Sequence, residues 1–464
     1  MGGLPGYGGA LPGGYGGCRG LANELAGVGV GGNDDENEDL LGTGESLLEQ
    51  ASGSTMVDKE SALEHSISEN SAPLEIPRAK GVRDGVWTKR DAEVVEQALD
   101  APPKLKKDAT YLLGLSEEAV ADAIMAAMPD ANLPAYRAKQ VHKALYAQHV
   151  RDVRDITTLS KQLRQDMHEA GIRIGRSPVH KTVVAADGTT KFLVRLHDDR
   201  LVETVGIPAL NKSEKERLTV CVSSQVGCPL RCTFCATGKG GFARNLATHE
   251  IVDQLLTVEE HFGQRVTNVV FMGMGEPLLN LRNVLPALRS MNKDVGIGAR
   301  HLTLSTVGVP NTLKRLAERN LQSTLAVSLH APNQKLREQL VPSAKAYPIE
   351  ALLDDCAKYF AVTRRRVSFE YALLGGVNDQ MEHADELVST LRKHGHGGAH
   401  VNLIPWNSVE GAEFRRPSAA AVRSFKHRLE TANVQCTIRI SRGLDAAAAC
   451  GQLRNANQKI PLTT

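Results

Sequence analysis

The stretch that decides the fold is CVSSQVGCPLRCTFCATG, residues 221–238. It holds four of the eight cysteines of this 464-residue chain. Cys228, Cys232 and Cys235 have the spacing C-x3-C-x2-C on a loop after a predicted strand. Three thiolates on one short loop can bind three irons of a 4Fe-4S cluster and leave the fourth iron open. The alternative is a structural zinc site, which needs four closed ligands, usually in two C-x2-C pairs, and the sequence has no second pair.

Strand-like and helix-like segments alternate regularly on the C-terminal side of this loop. Seven segments, from TVCVSS to CTIRISRG, are typical of strands, and amphipathic stretches such as ATHEIVDQLLTVEEHF separate them. Repeated βα units predict a parallel sheet with helices outside it. The pattern therefore predicts an α/β fold, a partial (β/α)6 TIM-like barrel over residues 217–455. The site of such a barrel lies at the C-terminal ends of its strands.

Three further segments precede the predicted barrel. Residues 107–172 contain three runs with apolar residues at helical spacing, which predict a helical accessory domain. Residues 173–216 alternate in polarity around Asp187-Gly188, which predicts a small β-hairpin extension. Residues 1–100 are predicted to be a disordered, Gly-rich and acidic tail, because such a composition buries too little apolar area to repay its ordering entropy.

The net charge of +2 hides an asymmetry along the chain. Residues 1–100 have 18 acidic and 7 basic residues, and residues 101–464 have 35 acidic and 48 basic ones. The excess of basic residues in 101–464 predicts a polyanionic partner, most simply nucleic acid, although a solvated basic surface would show the same composition. The sequence contains no run of 18 or more apolar residues, so it predicts no membrane helix. Crowded cysteines without a secretory signal indicate a reducing compartment.

The cysteine motif also carries a resemblance to a known superfamily. C-x3-C-x-aromatic-C, with Phe234 as the aromatic residue, resembles the cluster motif of radical S-adenosylmethionine (SAM) enzymes. The resemblance implies that the methionine portion of SAM chelates the open iron. MGMGEP at 272–277 resembles the Gly-Glu-Pro turn of the superfamily, so Gly275 and Glu276 would bind the SAM amino group. A lone Gly-Glu-Pro is otherwise a turn that ends a strand.

A narrower resemblance extends from about residue 107 to 455. Nine segments are similar, in the same order, to motifs of the rRNA/tRNA adenine C2-methyltransferases. They are CVSSQVGC, FCATG, GFARNL, FMGMGEPLLN, LSTVG, SLHAP, FEYALLGGVND, IPWN and AACGQL. These radical SAM enzymes methylate adenosine 2503 of 23S rRNA and, in bacteria, adenosine 37 of some tRNAs. The resemblance implies further SAM contacts from four polar residues, each of which taken alone is typical of a strand end: Ser305, Ser328, His330 and Asn407.

The resemblance also assigns the two cysteines outside the cluster motif. Carbon 2 of adenine is electron-poor and cannot attack the methyl group of SAM, so the family uses two SAM molecules per turnover. The first methylates Cys450, the second yields the radical that converts the S-methyl group to a methylene radical, and this radical joins RNA to the enzyme. Cys221 then attacks the Cys450 sulfur and releases the product as a disulfide forms. Glu203 would handle the proton at carbon 2 or bind the adenine.

The implied partners are 23S-type rRNA, with tRNA as a second substrate, and a one-electron reductant such as flavodoxin or ferredoxin. The chain is predicted to be a monomer without a membrane partner, and cytoplasmic if bacterial. Its glycine-rich extension favours a plastid or another organelle instead, although it lacks the arginine and serine content of a transit peptide. Two alternatives stay open: the family branch that methylates carbon 8, and a non-enzymatic, zinc-containing RNA-binding protein.

Overall fold

The structure is a computed structural model that describes residues 87–454, except 107, 132, 211–215, 320 and 397. The described residues belong to one compact unit, Ser71–Thr464. Most of the segment that the sequence predicts to be a disordered tail, residues 1–86, lies outside the described residues. Within the described part of the chain, no helix is long and apolar enough to cross a membrane.

The first described element is helix α1 (Lys89–Ala98), where the sequence predicts disorder. The helix forms because Thr88 and Asp91 make a capping box, in which each side chain accepts a hydrogen bond from the other residue's backbone N–H. Asp91 also pairs with Arg231 of the cysteine loop, at 2.8 Å. The capping box and this long-range contact hold ten residues in a helix that composition alone does not indicate.

The next elements form the helical region that the sequence predicts. Its three long helices match the three amphipathic runs, and the Ser116 hydroxyl caps the first by accepting a hydrogen bond from Ala119 N–H at 3.2 Å. Two short parallel strands pair with each other at its ends. In chain order the elements are β1 (Thr110–Tyr111), α2 (Glu117–Ala127), α3 (Tyr136–Ala147), α4 (Lys161–Glu169) and β2 (Ile172–Arg173).

Three antiparallel strands follow: β3 (Val179–Val184), β4 (Thr190–Arg195) and β5 (Leu201–Pro208). The predicted hairpin at Asp187-Gly188 joins β3 to β4, and Gly188 has a φ of 78°, which suits glycine. Strand β5 also pairs with the first strand of the parallel sheet. The hairpin region is therefore an extension of the main sheet.

The main sheet has the order β14-β13-β12-β11-β10-β9-β6-β5-β4-β3, and β6 and β9–β14 run parallel. The seven predicted barrel strands are all present, which confirms the α/β fold with a large, mostly parallel sheet. Its elements are β6 (Leu218–Cys221), β7 (Gln225–Gly227), α5 (Ala236–Lys239), β8 (Phe242–Asn245), α6 (Thr248–Phe262), β9 (Asn268–Phe271), α7 (Leu281–Lys293), β10 (Leu302–Thr306), α8 (Thr312–Glu318), β11 (Thr324–Ser328), α9 (Gln334–Leu340), α10 (Ile349–Thr363), β12 (Val367–Leu373), α11 (Met381–Lys393), β13 (His400–Pro405), α12 (Ala419–Thr431) and β14 (Gln435–Ile438).

The parallel strands present their C-terminal ends on the same side, because each crossover helix returns the chain to the opposite end of the sheet. Buried aliphatic side chains of the helices and strands form one continuous core between the two layers. The polar residues that follow β9, β10, β11 and β13 are therefore gathered at one edge of the sheet.

Candidate active site

A cavity of about 150 Å³ lies at this edge of the sheet. Every predicted site residue except Cys221 and Glu203 lines it. The lining includes Cys228, Cys232, Cys235, Gly275, Glu276, Ser305, Ser328, His330, Asn407 and Cys450. These residues come from six different segments of the chain, and the ends of the parallel strands bring them together.

The cysteine loop connects β7 to α5 and contributes three thiols to this cavity. Thr233, between the second and third cysteines, donates from both its N–H and its hydroxyl to the carbonyl of Leu340, at 3.0 and 3.2 Å. The Trp406 indole N–H donates to the carbonyl of Phe234 at 3.0 Å. The loop is therefore held from both sides by the ends of other elements.

The donor set of this loop fits a 4Fe-4S cluster. Burial, and then the charge of neighbouring thiols, raises the pKa of Cys228 and of Cys232. Deprotonated thiolates are thus costly here unless a cationic centre compensates them, and iron does so directly. Among the described residues no group of three or more His, Cys, Asp or Glu side chains is placed to hold one metal ion.

The turn after β9 places a buried carboxylate in the cavity. Gly275 has a φ of 103°, and a Cβ at this position would lie 2.6 Å from Cβ of Gln225, so only glycine fits. The Glu276 carboxylate is 2% exposed and accepts hydrogen bonds from the N–H groups of Leu278 and Val307, at 2.9 and 2.8 Å. Burial raises the pKa of Glu276 to about 7. A cationic ligand would favour its ionised form.

Four polar residues lie at the ends of three strands: Ser305, Ser328, His330 and Asn407. His330 has a φ of 62°, and its Nδ1 accepts from Ala372 N–H at 3.0 Å. Burial lowers the pKa of His330 to about 3, so the imidazole is neutral near pH 7. The Asn407 amide donates to the carbonyl of Cys450 at 3.2 Å. Asn407 therefore contacts both the cavity and the segment that carries Cys450.

Cys221 and Cys450 lie close enough for their charges to interact. Cys221 ends β6 and is 9% exposed. Burial, and then the charge of Cys450, raises the pKa of Cys221 to about 12. Cys450 is exposed toward the cavities, yet surrounding protein atoms desolvate its sulfur and raise its pKa, while Arg439 acts in the opposite direction. The seven described cysteines are all free thiols.

Arg439 is a site residue that the sequence reasoning missed. It follows β14, and its Nη1 donates to Sδ of Met272 at 2.8 Å. Burial opposes its charge, but the neighbouring Cys450, Glu370 and Cys221 outweigh burial and raise the pKa of the guanidinium above its ordinary value. The cation therefore stays charged and favours the thiolate form of both cysteines. The signal in the sequence is a basic residue at the carboxyl end of a barrel strand.

A second, larger cavity of about 480 Å³ adjoins the first. Cys450 and Glu370 are among the residues that line both cavities, so the two spaces adjoin beside Cys450. Three arginines, Arg217, Arg439 and Arg442, line the second cavity together with hydroxyl and amide side chains from the inner face of the sheet. This cavity can accommodate a polar, anionic group beside Cys450.

Glu203 lies apart from the first cavity, on β5. Its carboxylate is 2% exposed, accepts a hydrogen bond from Arg454 N–H at 3.1 Å, and lies 3.8 Å from the Lys191 ammonium. Burial raises its pKa, and the neighbouring cations act in the opposite direction. The structure thus brings Glu203 to the segment after Cys450, and Glu203 lines neither of the two cavities.

Comparisons with known proteins agree with this geometry. Residues 222–388 match the model of the radical SAM superfamily, and residues 112–172 match that of the ribosomal RNA large subunit methyltransferase N-terminal domain. A "Probable dual-specificity RNA methyltransferase RlmN" of Nostoc punctiforme is 56% identical over 324 residues, 69% of this chain and 88% of the relative. Its namesake in Nostoc sp. is 58% identical over 321 residues, with the same shares.

A solved structure shows the same architecture. The crystal structure of a radical SAM methyltransferase from Sphaerobacter thermophilus superposes with a TM-score of 0.69 at 40% sequence identity. The match covers 74% of this chain and 99% of that one. Membership of the superfamily implies a 4Fe-4S cluster and SAM as cofactors. By sequence and by fold, the chain belongs to the RlmN family of dual-specificity RNA methyltransferases, within the radical SAM superfamily.

Proposed function

We propose that the protein methylates carbon 2 of adenosine 2503 in 23S-type rRNA, and adenosine 37 of tRNA as a second substrate. The observation that carries this proposal is the position of Cys450, which lines both the cavity of the three-cysteine loop and the arginine-lined cavity. A methyl group on its sulfur would face the SAM site on one side and a bound nucleotide on the other. The family relationship supports the same reaction.

Cys228, Cys232 and Cys235 would hold the 4Fe-4S cluster, each thiolate on a different iron. Bound there, the cluster supplies the electron that cleaves SAM reductively. Gly275 allows the turn to pass close to Gln225, and Gly275 and the Glu276 carboxylate would bind the SAM amino group as an ammonium. The SAM contacts would be completed by four polar side chains that line the cavity, namely Ser305, Ser328, His330 and Asn407, and these would hold the ligand without adding charge.

Cys450 would carry the methyl group because adenine carbon 2 cannot accept it from SAM directly. Methylation by the first SAM requires a thiolate, and Arg439 favours that form of Cys450. The 5′-deoxyadenosyl radical from the second SAM would take a hydrogen atom from the S-methyl group, which gives 5′-deoxyadenosine and a carbon radical that adds to the electron-poor ring position. With one electron taken up by the oxidised cluster and the proton of carbon 2 lost to a base, RNA would remain bound covalently to the Cys450 sulfur.

Cys221 would release the product by attacking the Cys450 sulfur. In the resting protein the Cys221 thiol stays protonated, since its pKa is about 12. Once Cys450 is alkylated it has no thiolate charge, so its repulsion of Cys221 is gone while Arg439 still favours the Cys221 thiolate. Burial is the larger cause of the raised pKa of Cys221, so alkylation of Cys450 removes only part of the opposition to the thiolate, and Arg439 supports the form that attacks the Cys450 sulfur.

The arginine-lined cavity would receive the target nucleotide, with Arg217 and Arg439 near its phosphates. Access requires that the adenosine leave its stack, as for other base-modifying enzymes. Glu203 remains our candidate for the proton at carbon 2. Its raised pKa suits proton exchange, and RNA binding would have to bring the base and the carboxyl group together.

Product mapping tests this function directly. Reconstituted protein incubated with SAM, a flavodoxin or ferredoxin reductant, and protein-free 23S rRNA should produce 2-methyladenosine at position 2503. Mass spectrometry of nuclease fragments distinguishes this product from 8-methyladenosine, which the other branch of the family would give. A parallel reaction with tRNA tests position 37. Absence of any methylated adenosine, with SAM cleavage intact, would overturn the proposed substrate.

RNA binding should depend strongly on salt because the described part of the chain is basic. With about five phosphate contacts, affinity should fall by roughly 10²-fold between about 50 and 200 mM salt. A variant lacking residues 1–86 should bind at least as tightly, since that segment has 14 acidic and 5 basic residues and its removal leaves α1 in place. Filter binding of labelled rRNA measures both effects. Weaker binding by the shortened protein would place part of the RNA site in residues 1–86.

The compartment is a separate prediction, either the bacterial cytoplasm or a plastid or similar organelle. Fusion of residues 1–100 to a fluorescent protein tests the organellar alternative. We also propose that the protein acts as a monomer, which sedimentation of the reconstituted protein in the presence and absence of RNA can measure.

A further inference from the structure

The segment that carries Cys450, residues 441–454, is here called the Cys450 segment. It contains turns and irregular backbone, and no helix or strand is present in it. Its position therefore depends on contacts with other elements. One group of contacts comes from the start of α5, directly after the cysteine loop, where Ala236 N–H donates to the carbonyl of Gly451 at 2.8 Å and the Thr237 hydroxyl donates to that of Leu453.

The second group of contacts comes from the turn of the β3–β4 hairpin. Arg442 donates from Nε to Oδ2 of Asp187 at 2.7 Å and from Nη2 to the Asp187 carbonyl at 2.9 Å. Oδ2 of Asp187 also accepts from Gly443 N–H at 3.0 Å. A single carboxylate oxygen thus holds two consecutive residues of the Cys450 segment.

Two more hydrogen bonds extend this contact along the hairpin. Ala186 N–H donates to the Asp445 carboxylate at 2.9 Å, and the Lys191 ammonium donates to the carbonyl of Ala447 at 2.9 Å. Gly443 also packs tightly against the turn, because a Cβ there would lie 2.8 Å from Cγ2 of Thr189. The hairpin and the Cys450 segment are therefore fitted to each other in both hydrogen bonding and shape.

We propose that the hairpin turn is a clasp that sets the position of the Cys450 sulfur, and that Asp187 is its positioning residue. The inference rests on the proposed function, in which Cys450 carries the methyl group. This sulfur must meet three partners in one turnover: the methyl group of SAM, carbon 2 of the base, and the sulfur of Cys221. A segment without secondary structure can serve all three only if its path is fixed from outside.

The ionisation of Asp187 agrees with this role. Burial opposes its charge, but hydrogen bonds from Arg442, Thr189 and Gly443 outweigh burial and hold the pKa of its carboxyl well below the ordinary value. Asp187 is therefore ionised throughout the physiological pH range. Charge-assisted hydrogen bonds of this kind are about twice as strong as neutral ones.

The geometry suggests a conservative test variant. Oδ1 of Asp187 accepts from Thr189 N–H at 2.9 Å and stabilises the turn, whereas Oδ2 makes the contacts with the Cys450 segment. In Asp187→Asn only one acceptor oxygen remains, so the hydrogen bonds from Thr189 and those from Arg442 and Gly443 cannot all be kept, and the charge that strengthens them is lost. The substitution thus weakens the clasp at nearly constant side-chain size.

The test compares two products of the reconstituted enzyme, 5′-deoxyadenosine and methylated adenosine. Asp187→Asn should keep its iron content and its rate of 5′-deoxyadenosine formation within about twofold of the unsubstituted protein, since the clasp does not contact the cysteine loop. Methylation should fall by about tenfold, because displacing a reacting group by about 1 Å costs up to about 10²-fold. The ratio of 5′-deoxyadenosine to methylated adenosine should therefore rise about tenfold.

A purely structural defect would lower both products together and leave this ratio unchanged, and that outcome would overturn the clasp. Asp199→Asn, the same change in the β4–β5 turn, is the matched control and should not change the ratio. If Asp187→Asn fails to fold, Asp445→Ala removes a neighbouring hydrogen bond from the hairpin and should also raise the ratio. A different result would contradict the proposed function itself, namely methylation of RNA that persists in Cys450→Ala.

Discussion

Cys450→Ala should form no protein–RNA adduct, whereas Cys221→Ala should form the adduct and keep it. The two variants fail at different steps, because Cys450 would carry the methyl group and Cys221 would act only at release. Both should lose multiple-turnover methylation completely and retain iron at the level of the unsubstituted protein, since neither thiol belongs to the C-x3-C-x2-C loop. A denaturing gel with labelled RNA, combined with an iron assay, measures the adduct and the cluster in the same samples.

The chain offers matched controls for these cysteine substitutions. Cys356 is completely buried in α10, and Cys436 lies on β14 with 6% exposure; neither lines the two cavities. Cys356→Ala and Cys436→Ala should turn over normally apart from a loss of stability of about 1 kcal/mol for a deleted buried sulfur. An adduct in Cys450→Ala, or normal turnover in Cys221→Ala, would contradict the assigned roles while the family relationship stands.

The parts of the fold that were predictable from sequence depend on local periodicity. The strands and most of the amphipathic helices follow from alternation and helical spacing, and the hairpin follows from Asp187-Gly188. Parallel strands share one C-terminal edge, so residues at the ends of successive strands, such as Ser305 and Ser328, are brought together by topology. The family resemblance added the roles, which spacing alone could not supply.

The features that sequence did not reveal all depend on contacts between distant segments. Helix α1 forms beside the cysteine loop, where Asp91 meets Arg231, although its composition resembles the acidic tail. Arg439 follows β14 and Cys221 ends β6, two strands that are not neighbours in the sheet, yet Arg439 interacts with both proposed catalytic thiols. The clasp requires a hairpin more than 250 residues before Cys450 in the chain. Periodicity carries no information on such pairs.

The structure also changes the physical interpretation of Cys221. On a predicted strand, a lone cysteine is most often a small buried hydrophobic residue, and 9% exposure agrees with that. Its functional interpretation depends on the neighbouring Cys450 thiol and on Arg439, which influence its pKa in opposite directions. Such an electrostatic coupling between residues distant in the chain is a property that a sequence motif does not express.

Replacement of any one cysteine of the loop should abolish radical formation. Cys228→Ala, Cys232→Ala and Cys235→Ala each remove one of three iron ligands, so 5′-deoxyadenosine and methylated adenosine should both fall to the assay background. Cys356→Ala is the control for loss of a buried thiol outside the loop. The measurement is chromatographic quantification of 5′-deoxyadenosine after anaerobic reconstitution with iron and sulfide, with a strong chemical reductant in place of the protein donor.

The comparison with the Cys450 and Cys221 variants makes this result specific. Those two proteins should still form 5′-deoxyadenosine under the strong reductant, because their three-cysteine loop is intact, whereas the loop variants should not. The loop variants should also lack the brown colour and the iron of the reconstituted protein. If Cys232→Ala still cleaved SAM, the cluster ligands would have to lie elsewhere; a bound zinc ion in the unsubstituted protein, with no iron uptake, would favour the non-enzymatic alternative instead.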